Sequence, residues 1–213
     1  MRYIDLIFFD LDGTLVDSKE GIVQAVNYAL KQVGLKEKPV EEIAAFIGTG
    51  EEDLIRKSLG LAHQDLFEKA RNLFGDYRRS FTDNVSLYPG VKEMLEYFKN
   101  KKKIIVTNRK HEFALLTLKA LGIDKYFQDI IGGDDANCLK PSSCPLDKII
   151  HRLKMTKKQA IMVGDMDIDV LTGKNAGILT CAVTYGIGKK EDILASSPDY
   201  VIDDIARLKE LIN

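Results

Sequence analysis

Ile4-Asp5-Leu6-Ile7-Phe8-Phe9-Asp10-Leu11-Asp12-Gly13 is a short, mostly apolar run that stops at an Asp-Gly turn signal. A run of this length, bounded by a turn, reads as a strand buried on both faces. Comparable runs lie at 104–107, 130–131, 161–163, 180–183 and 200–202. Helical patterns fall between or after them, near 90–99, 111–121, 146–153, 167–176 and 204–212. Strand and helix in alternation predict an α/β fold, a parallel sheet with helices on both faces.

Residues 19–81 break the alternation. Ile22, Val23, Val26, Ala29, Leu30 and Val33 recur at helical spacing, with Ser18 as a candidate N-cap and Gly34 as a helix end. Further helical segments fit near 40–46, 51–59 and 64–80, and no strand is evident among them. About sixty helical residues are too many for one crossover, so they read as an inserted all-helical cap. The expected division is a core of 1–15 and 84–213 with a cap of 16–83. Stretches 14–18 and 82–88 are the two connections.

A chain of 213 residues fits one large domain or a core with a smaller unit. Lys and Arg total 31 against 32 Asp and Glu, a net charge of -1, which argues against nucleic acid or an anionic membrane as partner. The short runs Lys101-Lys102-Lys103 and Lys189-Lys190 read as solvated faces. The N-terminal residues lack a signal-peptide pattern, and no run of about 18 apolar residues could span a bilayer. Cys138, Cys144 and Cys181 have no CxxC spacing and read as free thiols in a reducing cytoplasm.

In open parallel sheets, ligands bind beyond the carboxyl ends of the strands. Asp10 and Asp12 end the first strand, and Thr107-Asn108 follow the second. Lys140 lies in a loop after the third, and Asp165 and Asp169 follow the fourth. Each alone could be a turn or helix-cap residue, as Thr107 and Asp165 illustrate. Four such placements at consecutive strand ends point instead to one crevice. There is no GxSxG, GxxxxGK[ST] or GxGxxG, and His63, His111 and His151 lack zinc-site spacing. Carboxylates and one lysine remain. Clustered Asp oxygens suit Mg²⁺, and a carboxylate can act as a nucleophile that forms an aspartyl-phosphate.

Phe8-Phe9-Asp10-Leu11-Asp12-Gly13-Thr14-Leu15-Val16-Asp17-Ser18 resembles the first motif of the haloacid-dehalogenase-like superfamily in its phosphatase form. Ile105-Val106-Thr107-Asn108 resembles the second motif, Lys140-Pro141 the third, and Val163-Gly164-Asp165-Met166-Asp167-Ile168-Asp169 the fourth. The helical insertion is similar to the cap of phosphoglycolate phosphatases and beta-phosphoglucomutases. The resemblance implies a Rossmann-like core and a Mg²⁺-dependent phosphatase. Asp10 is then the nucleophile and Asp12 the acid/base. Thr107 and the Asn108 amide bind phosphoryl oxygens, and Lys140 balances charge between Asp10 and phosphate. Asp10, the Asp12 carbonyl and Asp165 are the implied metal ligands, with Asp169 ligating through water or holding Lys140. Gly13 permits the turn that lets amides approach phosphate.

Two places depart from the family pattern. The second proline after the lysine stands at Pro145, not two residues on, and Arg109 follows Asn108 where a lysine is commoner. Arg109 is a candidate substrate contact, with a solvated helix start as its plain alternative. The loop Phe46-Ile47-Gly48-Thr49-Gly50-Glu51 matches the segment that closes over related sites. Thr49 or Glu51 is a candidate substrate contact there, against a plain N-cap.

The expected partner is a small phosphorylated metabolite, best guessed as 2-phosphoglycolate. A phosphosugar mutase is the alternative, followed by a pyrophosphatase or nucleotidase; a non-catalytic binding domain on this fold lies outside that class. Dehalogenases lack the second Asp, so Asp12 speaks against that chemistry. The chain is expected to be cytoplasmic, a monomer or homodimer.

Overall fold

The computed structural model describes residues 3–80, 85–135 and 138–213. In chain order its strands are β1 (Leu6–Phe9), β2 (Val16–Asp17), β3 (Ser86–Leu87), β4 (Lys102–Val106), β5 (Asp129–Ile131), β6 (Ala160–Gly164), β7 (Leu179–Val183) and β8 (Tyr200–Ile202). Helices α1 (Lys19–Gln32), α2 (Val40–Ala44), α3 (Glu51–Leu59) and α4 (Phe67–Ser80) fall between β2 and β3. The others are α5 (Val91–Tyr97), α6 (His111–Ala120), α7 (Cys144–Arg152), α8 (Asp167–Ala176), α9 (Lys190–Ala195) and α10 (Leu208–Leu211).

Six parallel strands form one sheet in the order β5-β4-β1-β6-β7-β8. From β1 the chain winds one way through β4 and β5, then returns to β1's other side for β6, β7 and β8. The strand order therefore reverses at β1, and the carboxyl end of β1 is the switch point where such sheets hold ligands. Alternation along the strands fills both faces. Ile7, Phe9, Ile105, Ile161 and Val163 join one apolar cluster; Leu6, Phe8, Ile104, Val106 and Met162 join the other. Phe8 and Phe9 are fully buried, and a phenylalanine buried this way contributes roughly 1.5–3 kcal/mol.

Helices α1–α4 build a third apolar cluster, through Ile22, Val26, Leu30, Ile43, Leu54, Ile55, Phe67 and Phe74. Gly34 has φ 85°, the left-handed conformation glycine tolerates, and closes α1 as expected. The connections to the core pair with each other. Val16 stands opposite Leu87 and Asp17 opposite Ser86 in an antiparallel ribbon. Residues 82–84 of the second connection, with the expected boundary at 83/84, lie outside the described residues. Helix α7 starts earlier than expected, at Cys144, because Ser143 occupies the cap position and Pro145 suits the first turn.

Two sequence expectations are corrected. Lys103 is not on a solvated face. It is 1% exposed within β4, and its ammonium donates to the carbonyls of Phe98 (2.5 Å) and Lys101 (3.0 Å). Strand alternation turns it inward, and two carbonyls take the place of water. Nor are all three cysteines free thiols: Cys138 and Cys144 form a disulfide, while Cys181 is free and buried. The loop ahead of α7 folds back so that the two Cα atoms are 6.4 Å apart, within bridging range.

No described helix is long and apolar enough to cross a membrane. The disulfide closes a short loop, for which the chain-entropy model gives about 2 kcal/mol. Non-reduced protein unfolded in denaturant should titrate one thiol, rising to three after reduction. The C138S/C144S double variant should unfold at lower urea concentration. Three thiols in air-oxidised protein would remove the bridge.

Candidate active site

Asp10 directly follows β1, Thr107 follows β4 and Asp165 follows β6, so the three central strands deliver them to the switch point. Asp169 reaches the same place from the first turn of α8, and Lys140 from the loop after β5. Thr107 and Asp165 are not helix caps. Lys110 and Met166 occupy those positions before α6 and α8.

At the centre, the Lys140 ammonium donates to Asp10 Oδ1 and Asp169 Oδ1, both at 2.6 Å. All three side chains are buried. Burial acts against the Lys140 charge, but Asp10 and Asp169 outweigh it and hold the ammonium above the usual lysine range. Asp165 lies beside this pair of contacts. Its Oδ2 accepts from the amides of Ile187 (2.7 Å) and Gly188 (3.2 Å), and its Oδ1 from the Thr14 hydroxyl (2.9 Å). Burial and then Asp169 push its carboxyl up to about 7 against those bonds. Burial likewise pushes Asp10 well above the usual range, with Lys140 opposing and the other aspartates reinforcing.

Asp10, Asp165 and Asp169 offer carboxylate oxygens within 4.8 Å of one another. Three carboxylates against one ammonium leave an ionised cluster two positive charges short of balance. Hard oxygen donors with that deficit fit a small divalent cation. Asp169 has its Oδ1 on Lys140 and its Oδ2 on the Met166 amide (3.0 Å), which suits it to holding Lys140. The Asp12 carboxylate is turned away from the cluster. Its Oδ1 accepts from Arg109 at 2.5 Å and from the Ser18 hydroxyl. Ser18 is thus not a side-chain cap of α1; its hydroxyl is spent on Asp12.

Gly13 has a further role beside the expected turn. Its amide is committed to the Val16 carbonyl at 2.8 Å. Its φ is +88°, and a Cβ there would lie 2.2 Å from Asp165 Oδ2. The glycine therefore makes the turn and makes room for Asp165. Gly186 and Gly188 give way to Asp165 in the same manner.

Thr107 and Asn108 line the cavity above Asp10. The Asn108 side chain accepts from the Lys140 amide (2.8 Å) and donates to the Lys140 carbonyl (3.1 Å) and to Gly48 of the cap (2.8 Å). Arg109 is no solvated helix start. It is 6% exposed, bonded to Thr117 (2.9 Å) and Asp12, and lines the cavity. Thr49 is outside the cavity lining; its hydroxyl bonds Asp53. Its neighbour Glu51 faces inward, and burial pushes that carboxyl up against Lys110, Arg109 and Arg78.

Sequence reading passed over Arg78, which lines the same cavity from α4. The signal was present. Phe67, Ala70, Phe74 and Arg78 fall on one stripe of that helix, and an arginine on a buried stripe is out of place. The loop 186–188 that grips Asp165 was also passed over; two glycines beyond a strand end were its mark.

The chain matches the haloacid dehalogenase-like hydrolases over residues 7–183. It is 35% identical to the phosphoglycolate phosphatase of Vibrio parahaemolyticus serotype O3:K6, covering 98% of this chain and 96% of that protein. With the phosphoglycolate phosphatase of Haemophilus influenzae (strain Rd) the identity is 34%, over 97% of each. The crystal structure of a predicted phosphoglycolate phosphatase from Haemophilus somnus 129pt superposes with a TM-score of 0.94 at 32% identity, over 99% of both chains. The chain belongs to the haloacid dehalogenase-like hydrolases and is a phosphatase of that family.

Proposed function

We propose that this phosphatase is Mg²⁺-dependent and hydrolyses 2-phosphoglycolate through an aspartyl-phosphate on Asp10. The carrying observation is Lys140, shared at 2.6 Å between Asp10 Oδ1 and Asp169 Oδ1 beside buried Asp165. Lys140 holds Oδ1 of Asp10 at 2.6 Å, whereas Oδ2 has only a long contact from the Thr14 hydroxyl at 3.4 Å, so Oδ2 is the attacking oxygen in this reading. It forms the bond to phosphorus as the bond from phosphorus to the glycolate oxygen breaks. Asp12 gives that oxygen its proton. Arg109 and Ser18 both address Asp12 Oδ1, so the proton travels on Oδ2. Asp12 then takes a proton from water as the water attacks the phospho-aspartate and frees Asp10. Thr107 and the Asn108 amide bind phosphoryl oxygens through both steps. When bound, Mg²⁺ supplies the positive charge that the carboxylates and the phosphoryl oxygens both need. Asp10, Asp165 and the Asp12 carbonyl would hold it.

The substrate assignment rests on the relatives' names and on the size of the cavity. Its volume is about 50 Å³, on a measure where one water needs roughly 10–15 Å³. A small ligand suits that space, and a hexose phosphate would need the cap to shift. Helices α1–α4, about 16–83, act as the closing lid in this reading. Every residue named comes from one chain, so a monomer or homodimer suffices. A cytoplasmic location goes with the same proposal. The Cys138–Cys144 bridge is then a reversible one, as disulfides in reducing compartments usually are.

Asp10→Asn should abolish turnover of every phosphomonoester, and trifluoroberyllate with Mg²⁺ should attach to Asp10 in a crystal. Attachment elsewhere would overturn the mechanism. In a phosphomonoester panel, 2-phosphoglycolate should give the highest kcat/KM. Net isomerisation of a hexose phosphate, without free phosphate, would favour the mutase reading instead.

Mg²⁺ should also stabilise the fold in a pH-dependent way. Asp165 sits near 7 folded against about 3.9 unfolded, so without metal the native state holds the extra proton between those values. Its contribution to stability falls as pH rises through that window. The rise in Tm on adding Mg²⁺ should therefore be larger at pH 8 than at pH 5.5. Equal increments, or Asp165→Asn leaving the Mg²⁺ dependence of activity unmoved, would remove Asp165 from the ligand set.

A further inference from the structure

Three cationic side chains line the cavity: Lys140, Arg109 and Arg78. Lys140 is held by Asp10 and Asp169, and Arg109 by Asp12 and Thr117. Arg78 is different. It is 9% exposed, and among the described residues no hydrogen bond or ion pair joins its guanidinium to the protein; the nitrogens without a protein partner open onto the cavity. The one contact of that charge is with the ring of Phe74, 6.0 Å away. Its nitrogens are left facing the cavity. Burial, and then the like charge of Arg109, press the Arg78 guanidinium down to about 9, and Asp12 and Glu51 do not restore it.

A guanidinium taken from water without an acceptor is costly, and buried charges are normally paired. This one belongs to the buried stripe of α4 and lines the cavity that also holds Asp10, Asp12 and Lys140. Its missing partner is therefore an anion that arrives with the substrate. That anion is not the transferring phosphoryl group. Lys140, Thr107 and Asn108 address that group from the core, at the end of β1, whereas Arg78 projects from the cap. Two poles facing across a small cavity fit a short substrate charged at both ends. A guanidinium presents parallel N–H donors that match the two oxygens of a carboxylate.

We propose that Arg78 is the specificity residue of this phosphatase: it binds the carboxylate of a phosphomonoester whose leaving group is a short hydroxy acid. The assignment rests on the phosphatase reading above and names the substrate group that the cap recognises.

The test compares 2-phosphoglycolate with ethyl phosphate, which keeps the phosphoester but lacks the carboxylate. Wild-type enzyme should prefer 2-phosphoglycolate in kcat/KM. In Arg78→Gln that preference should shrink by about 10- to 100-fold, mostly through KM, the range for losing a hydrogen bond to a charged group. Arg78→Lys should recover part of it, since charge returns without the fork. Arg78→Gln should also melt no lower than wild type without ligand, because an unpaired buried charge has gone. Both substrates slowing in parallel, or a lower melting temperature in Arg78→Gln, would make Arg78 a structural residue and overturn the proposal. Wild-type enzyme inactive on both esters would instead strike the phosphatase reading itself.

Discussion

A single ammonium, that of Lys140, sits 2.6 Å from two buried carboxylates, and the rest of the site is arranged around it. None of the three groups is stable there alone. Removing one partner from a buried ion pair typically costs about 3–5 kcal/mol, because the other is left uncompensated. The fold therefore fixes each member separately. Asp10 is set by β1, the central strand, paired on both sides. Asp169 is set by the first turn of α8, where its second oxygen takes the Met166 amide. Lys140 lies on a loop, the least constrained position of the three, and it receives the most anchoring. Asn108 bonds both its amide and its carbonyl, and the Cys138–Cys144 bridge spans it. Such an arrangement contributes little to stability, and its excess negative charge is a cost the fold carries for chemistry.

The same asparagine links chemistry to the cap. Asn108 Nδ2 reaches Gly48 while also holding the Lys140 loop. Further cap–core contacts pack Ile187 against the cap's apolar cluster, and others are partly exposed ion pairs, Arg79 with Glu112 and Lys110 with Glu51. Ion pairs of that kind contribute about 0–1 kcal/mol each. The cap has its own apolar core and a two-stranded ribbon as its attachment. A separate core and a narrow attachment suit the lid role proposed for the cap.

How much of this was legible in the sequence follows from how local each signal is. Asp10, Asp12, Thr107, Lys140, Asp165 and Asp169 stand just beyond strands or at the head of a helix, so a strand pattern and a turn signal locate them. The cap was visible as helical periodicity where a strand was due. The disulfide was not, since a six-residue spacing leaves open whether the loop folds back. Lys103 and Arg109 look exposed in a linear reading because only tertiary packing decides which way they face. Thr49 and Glu51 show the same limit at closer range: the loop that Gly48 and Gly50 shape sends one outward to Asp53 and the other into the cavity.

Splitting the positive charge between core and cap has a mechanical consequence. In the proposed lid reading, Lys140 belongs to the core, whereas Arg78 belongs to α4 of the cap. With the cap closed and no ligand, Arg78 and Arg109 repel across the cavity, and Arg78 lacks an acceptor. A phosphomonoester with no second anion leaves that penalty standing, so closure over it is poorly rewarded. An ester with a carboxylate at the far end satisfies Arg78 only when the cap comes down. Recognition and closure then become one event, and water is excluded when the proper leaving group is present. Discrimination of this kind needs no change at Asp10, Asp12 or Lys140. In the proposed reading, then, the core carries out phosphoryl transfer and the cap chooses the ester.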